Sequence, residues 1–520
     1  MDEDSETQKL LNGSVESPLN ALPRAKATKL QQKPNSRWMP SCWFIDCLPC
    51  IRARYVLAFM LFLGLCNVYA LRVNLSVAIV QMTAEHPHHH QRSFDWSSSE
   101  QGWVLSSFFF GYLITQIPGG WLATRFGGKY VFGIGVLVTS LLTLITPQMA
   151  YLNLWALVAC RVVIGFFEGV TFPSMIAMFG VWSPPLERSM LTSIALSGPY
   201  IGNVIAFPLS GVLCETMGWP WVFYCFGFAG IAWFIAWLFL VSNTPAEHPR
   251  ISPKEIEYIE STIQAEILTR KATPKRPPPW KYILTSPAVI AIAIANFCSN
   301  WGFYTLLTCL PTFLKQTLCL DIKKNGFYSA IPYLCEFIVA LGWGQVTDIL
   351  RQRRLVSTTV IRKVNNTLGL CLPALFLLLC SYYGTNTLWA VVFLSLSVGS
   401  IGFTVSGFPV NNLDVAPKYA GVILGFANMI GTIPGFLGPI VAKQIAKEPA
   451  VGACGSECND PLTVDTYQQE WRLVFIIAAE VYVFGAMAYN LLGSGKKQPW
   501  AEGYIDTDQL DDNTKSFEET

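Results

Sequence analysis

The sequence has little charge. Only 13% of its 520 residues are Asp, Glu, Lys or Arg, about half of what a soluble domain carries. That excludes an ordinary soluble enzyme. A disordered chain is excluded as well, because 52% of the residues are hydrophobic and 13% aromatic. Neither sign of charge is in excess: 36 Lys and Arg against 34 Asp and Glu leave a formal net charge of +2. Nothing therefore points to nucleic acid. The first 50 residues are polar and lack the apolar core of a cleaved leader. Metal-ligand spacing, a Ser/His or Cys/His arrangement and a phosphate-cradling loop are all missing. These absences argue against an enzyme, a bound cofactor and an ATP-driven pump. The 15 Cys are scattered, mostly in apolar runs, and form no disulfide scaffold.

What is present is long apolar runs, and the mean hydropathy is +0.39. A membrane span needs about 20 mostly apolar residues. Twelve such runs are read at 55–80, 101–124, 130–146, 152–174, 189–214, 219–241, 288–315, 326–347, 364–383, 387–411, 419–446 and 471–492. The basic loops set the orientation. Arg52, Arg54, Arg125, Lys129, Lys271, Lys275, Arg276, Arg351, Arg353, Arg354, Arg362, Lys363, Lys496 and Lys497 all fall on one side with both termini, which is expected to be cytosolic. The first span is expected to serve as an uncleaved signal anchor.

The predicted organisation is a cytosolic tail (1–54), a six-helix half (55–242), a middle loop (243–286), a second six-helix half (287–493) and a cytosolic tail (494–520). Ser252-Pro253-Lys254-Glu255 reads as a capping box that starts a short helix in the middle loop. The halves repeat weakly. Gly198-Pro199-Tyr200-Ile201-Gly202 in span 5 is echoed by Gly431-Thr432-Ile433-Pro434-Gly435 in span 11. Small residues four apart let helices approach closely. Such a repeat suits a transporter with its site between the halves.

Charge at mid-bilayer costs about 2.5–3.5 kcal/mol on insertion scales, so each case needs a reason. Arg72 in span 1 reads either as a clamp for an anion or as a side chain snorkelling to the headgroups. Arg161 and Glu168 lie seven apart in span 4, on one helical face. They read either as a proton carrier with a neighbouring cation or as a structural pair. Tyr112, Asn300, Tyr304, Ser406 and Asn412 are polar residues in spans 2, 7 and 10. Each alone reads as packing glue; together they would line a polyhydroxylated substrate. Glu336 and Glu480 are further intramembrane acids with no assigned role. His86 and His88–His90 read as part of a solvated loop.

Several motifs resemble one family. They are Tyr69-Ala70-Leu71-Arg72-Val73-Asn74-Leu75-Ser76-Val77, the stretch from Ser107 to Gly120, Glu168-Gly169-Val170-Thr171-Phe172-Pro173, Pro184-Pro185-Leu186-Glu187-Arg188-Ser189, Phe303-Tyr304-Thr305-Leu306-Leu307-Thr308 and Leu413-Asp414-Val415-Ala416-Pro417. Together they look like the anion transporter family of sialin, the vesicular glutamate transporters and the type I sodium–phosphate cotransporters. The resemblance implies an all-α major facilitator fold of twelve helices, alternating access and no enzyme activity. Within the family the pattern is most like the sialin type, proton-coupled exporters of sialic acid and acidic sugars. Ser299 and Leu105 stand where the glutamate carriers have an arginine and a histidine. The likeness implies Arg72 as carboxylate ligand and Glu168 as coupling acid beside Arg161. It implies Tyr112, Tyr304 and Ser406 as substrate lining. Two departures stand out: Ile164 and Ile176 replace a glutamate and a histidine linked to proton handling. A sodium- or potential-driven carrier of phosphate, urate or amino-acid anions is the alternative, and a non-transporting anion sensor is another.

Glu6-Thr7-Gln8-Lys9-Leu10-Leu11 fits an acidic dileucine signal read by sorting adaptors. Delivery to lysosomes or endosomes is expected, with the plasma membrane as alternative. Cys454 and Cys458 share the luminal loop between spans 11 and 12, where a bridge would be structural. The expected partners are a small organic anion, the bilayer and adaptors, with H+ or Na+ as coupling ion. A monomer is expected.

Overall fold

Without water to satisfy the backbone, an apolar run in a bilayer closes its own hydrogen bonds as a helix. The computed structural model describes residues 52–84, 93–271, 278–353, 356–384, 386–446 and 461–501. Among them every regular element is helical. Glu6, Leu10, Leu11, Cys454 and Cys458 lie outside the described residues, as do the histidines at 86 and 88–90.

The first half comprises α1 (Ala53–Met82), α2 (Ser98–Phe126), α3 (Gly128–Leu152), α4 (Leu154–Glu168), α5 (Thr171–Trp182), α6 (Arg188–Leu196), α7 (Gly198–Thr216) and α8 (Trp219–Leu240). Outside it lie α9 (Pro253–Lys271) and α10 (Trp280–Thr285). The second half holds α11 (Pro287–Leu318), α12 (Ile322–Gln352), α13 (Thr358–Tyr383), α14 (Thr387–Ile401), α15 (Phe408–Val415), α16 (Ala420–Ile445) and α17 (Pro461–Leu492). Eleven helices among the described residues are long and apolar enough to cross a membrane. The twelfth crossing is α2, which starts on a full capping box between Ser97 and Glu100.

Three of the expected spans are broken. The fourth is α4 and α5, interrupted at Gly169-Val170 just past Glu168. The fifth is α6 and α7. The tenth is α14, a 3-10 turn (Gly402–Ser406) and α15. Phe408 N–H at the start of α15 donates to the Asn366 side chain at 3.0 Å, which replaces a partner lost at the break.

The face carrying the basic loops is called the basic face below. Ser252 caps α9 as expected, accepting from Glu255 N–H at 3.2 Å. The Glu255 side chain does not complete the box. It reaches α1 instead, accepting from Ala53 N–H at 3.1 Å and Arg54 Nη1 at 3.0 Å. Arg54 also donates to Glu187 at 2.7 and 2.9 Å. These hydrogen bonds from the Arg54 guanidinium hold the Glu187 carboxyl below its usual range. A lowered carboxyl stabilises the fold above its ordinary pKa and loses that as pH falls through the lowered value. Glu187→Gln is therefore expected to lower the melting temperature by a few degrees at neutral pH. It should also flatten the acid limb of a thermal-shift profile.

The halves meet along two seams, α2 with α16 and α7 with α12. Away from the basic face both seams are tight. Gln101 accepts from Lys443 at 2.6 Å, and a Cβ on Gly211 would meet Ile322 O at 2.8 Å. The contacts continue inward through Phe110 and Phe436 (ring centroids 4.8 Å apart) and Phe207 and Tyr333 (5.3 Å). The last pairs toward the basic face are Gln116 with Thr432 at 3.4 Å and Tyr200 with Phe337 at 6.1 Å. The core divides in the same way. One cluster, holding Trp219 and Trp471, runs through both halves at the far face. At the basic face each half has its own, around Trp237 and around Tyr489. The halves are joined at one end and separate at the other.

Candidate functional site

The site begins with a buried ion pair. Arg72 lies on α1 and is 5% exposed, so it does not snorkel. Its Nε donates to Glu168 Oε1 at 2.9 Å, and Nη2 donates to the same oxygen. Glu168, the last residue of α4, is fully buried. No hydrogen bond joins Glu168 to Arg161, despite their shared face. Arg161 instead donates from Nη2 to the Arg72 carbonyl at 3.3 Å. The partner of the acid comes from another helix, 96 positions away.

Close helix approach packs the neighbouring helices around this pair. A Cβ on Gly165 would collide with the Phe108 carbonyl, and one on Gly111 with the Val162 carbonyl. Gly198 and Gly202 likewise let α7 approach the carbonyls of Phe62 and Cys66 on α1. The spacing read as small residues four apart serves that purpose.

Aromatic rings wall the guanidinium. Its carbon lies 4.4 Å from the Tyr69 ring centre, 4.7 Å from Phe108 and 4.8 Å from Tyr112. Arg161 lies 5.5 Å from Phe108. Such cation–π contacts are worth about 2 kcal/mol when desolvated. From the other half, Tyr304 packs edge-on to Phe109 at 4.8 Å and interacts electrostatically with Arg72. A small cavity touches Arg72, Phe109, Arg161 and Thr308, with room for about one water. On two of its lining residues Arg72 Nη1 and Arg161 Nε are buried without a hydrogen-bond partner, as is Oε2 of Glu168, the partner of Arg72. Unmet hydrogen-bonding capacity beside a small buried cavity is what a ligand or water would fill.

The other expected residues fall elsewhere. Asn300 is half-buried and donates to Asn296 at 2.9 Å, within an amide cluster facing α16. Ser406 and Asn412 lie near the basic face. The Ser406 carbonyl accepts from Arg362, which also donates to Asp414 at 2.7 Å. Asn412 donates to Pro409 O at 3.0 Å. Neither touches the Arg72 cluster. Ile164 is buried, whereas Ile176 is 52% exposed on the outer face of α5. Glu480 is exposed in an apolar groove on the outside of the second half. Tyr69 and Phe108, present in the sequence only as motif members, prove to be walls of the site. Cys319, at the far end of α11, is disulfide-bonded, which nothing in the sequence reading foresaw.

Two six-helix halves closing on a buried charge cluster define a membrane carrier. A model of the Major Facilitator Superfamily matches residues 57–439. The chain belongs to that superfamily and, within it, to the anion transporter family. It is 44% identical to human sialin over 474 residues, covering 87% of this chain and 91% of the relative. It is 39% identical to human vesicular glutamate transporter 2, covering 89% and 79%. Two solved folds are similar: a bacterial homolog of the human lysosomal transporter Spinster, in an inward-facing and unoccupied conformation, and a D-xylose–proton symporter. The first has a TM-score of 0.64 at 15% identity, covering 85% of this chain and 97% of that one. The second has a TM-score of 0.60 at 13%, covering 86% and 98%. The chain is a multi-pass membrane protein and an organic anion transporter; its relatives are carriers, not enzymes.

Proposed function

We propose that the chain exports acidic sugars, sialic acid first among them, from an acidic compartment together with a proton. One observation carries this reading: Glu168 occupies Arg72 while Arg161 stands beside them. Two guanidiniums and one ionised carboxylate leave one net positive charge, and a substrate monoanion that replaces the carboxylate as Glu168 takes up a proton restores the same balance. A substrate carboxylate and ionised Glu168 compete for the same guanidinium. Protonating Glu168 frees Arg72, so proton and anion bind together on the acidic side. On the neutral side Glu168 loses its proton, takes Arg72 back and expels the anion. Tyr112, Tyr304 and Thr308 then meet the sugar. The basic face is cytosolic in this reading, and the membrane is lysosomal or endosomal.

The test is uptake of labelled N-acetylneuraminate by purified protein in liposomes, with and without an imposed pH gradient. Gradient-driven accumulation supports the reading. Uptake that ignores pH but follows membrane potential would replace it with the potential-driven alternative, which the loss of an acid at Ile164 favours.

A further inference from the structure

Glu336, at the middle of α12, is 3% exposed. Its Oε2 is buried without a hydrogen-bond partner. Among the described residues no ion pair reaches it, and no charged group acts on it. It sits at the forking point of a seam, beside the pair formed by Phe337 and Tyr200 of α7. Three phenols lie close enough to feel its charge: Tyr200 of α7, Tyr333 of its own helix and Tyr482 of α17. The Tyr333 and Tyr482 hydroxyls are themselves buried without partners. The Tyr482 hydroxyl lies against Gly302 of α11, and Gly399 of α14 and Gly402 of the 3-10 turn that follows lie against the α12 backbone at Glu336. The thiols of Cys298 and Cys309 on α11 and Cys335 on α12 are the other titratable groups around the cluster. No cation faces the carboxyl from any of these elements.

An ionised carboxylate in such surroundings is paired, or it takes a proton. We propose that Glu336 binds a proton and is a second proton site of the transport cycle, held by the second half. This deepens the proton-coupled reading above and rests on it. The setting suits turnover as well as binding. The seam opens and closes as the halves rock, so wetting and drying of this position change with the facing state. Glu168 and Glu336 then sit on different halves. The arithmetic follows: two protons with one monoanion move one net positive charge per cycle, whereas one proton with one monoanion moves none.

The test compares wild type, E336Q and E336D in two ways. The first is infrared spectroscopy of the purified, substrate-free protein. A protonated-carboxyl C=O band that disappears in E336Q is expected; spectra of wild type and E336Q without that difference overturn the proposal. The second is N-acetylneuraminate transport in liposomes. Each coupled proton is worth about tenfold in accumulation per pH unit. At zero voltage, E336Q is expected to accumulate about tenfold less at a one-unit gradient. It should keep counterflow exchange within about twofold of wild type and lose the substrate-linked current, and E336D should restore the current. An E336Q protein with wild-type accumulation and current overturns the proposal. Wild-type transport that is blind to pH would sink the proton-coupled reading itself, and the proposal with it, whatever the infrared band shows.

Discussion

Arg72→Ala is expected to reduce anion transport at least about 100-fold, a loss of about 3 kcal/mol or more. Two effects combine. The substrate loses its bidentate partner, and Glu168 is left buried without the guanidinium it now faces. Removing one member of a buried pair costs about 3–5 kcal/mol, so the variant should also be less stable. The two effects separate in the double variant Arg72→Ala/Glu168→Gln, which has no orphaned charge. Its thermal stability should recover toward wild type while transport stays absent. Arg72→Lys keeps the charge but loses the planar fork and its fit between Tyr69 and Tyr112. It should retain weak, low-affinity exchange. Wild-type flux by Arg72→Ala would remove the clamp from the mechanism.

Glu168→Gln should leave exchange intact and remove the share of proton-driven accumulation that Glu168 carries. Glutamine keeps the shape of the protonated acid and cannot ionise. It therefore never reclaims Arg72. Counterflow of N-acetylneuraminate between two compartments at equal pH should persist. Net accumulation at a one-unit pH gradient should fall about tenfold, one proton's worth. Substrate affinity at neutral pH should rise, because nothing competes for the guanidinium there. The same binding measurement on wild type should show affinity falling as pH rises. Unchanged accumulation by Glu168→Gln would take the proton away from α4.

The twelve-span plan was legible because membrane helices announce themselves by length and apolarity. Their interruptions were not. The break after Glu168 and the 3-10 turn at Gly402–Ser406 sit inside continuous apolar runs, where only tertiary packing marks the end of a helix. The site was half legible. Arg72, Arg161 and Glu168 stood out because charge is costly in a membrane. Their pairing did not, since periodicity relates residues on one helix and Arg72 lies on another. Glu255 shows the same limit from the other side. Its position predicted a local cap, but a buried arginine on α1 competed for the carboxylate and won. Ser406 and Asn412 were grouped with the site by likeness or polarity, yet the broken tenth span carries both to the basic face.

The glycine contacts between α2 and α4, and between α1 and α7, have one more consequence. Those between α2 and α4 hold Phe108 and Tyr112 against the helix of Arg161 and Glu168, and the hydrogen bonds of Arg72 and Arg161 tie α1 to the same helix, so all five residues belong to one half. When the carrier changes its facing, the distance between acid and guanidinium need not change at all. Tyr304 and Thr308 ride on the other body and approach or recede. Charge is thus read by one half in the same way in both facing states, while the shape of the cargo is read by the other half only when the two meet. A lineage could exchange one anion for another by altering the second half alone and leave the chemistry of the first untouched.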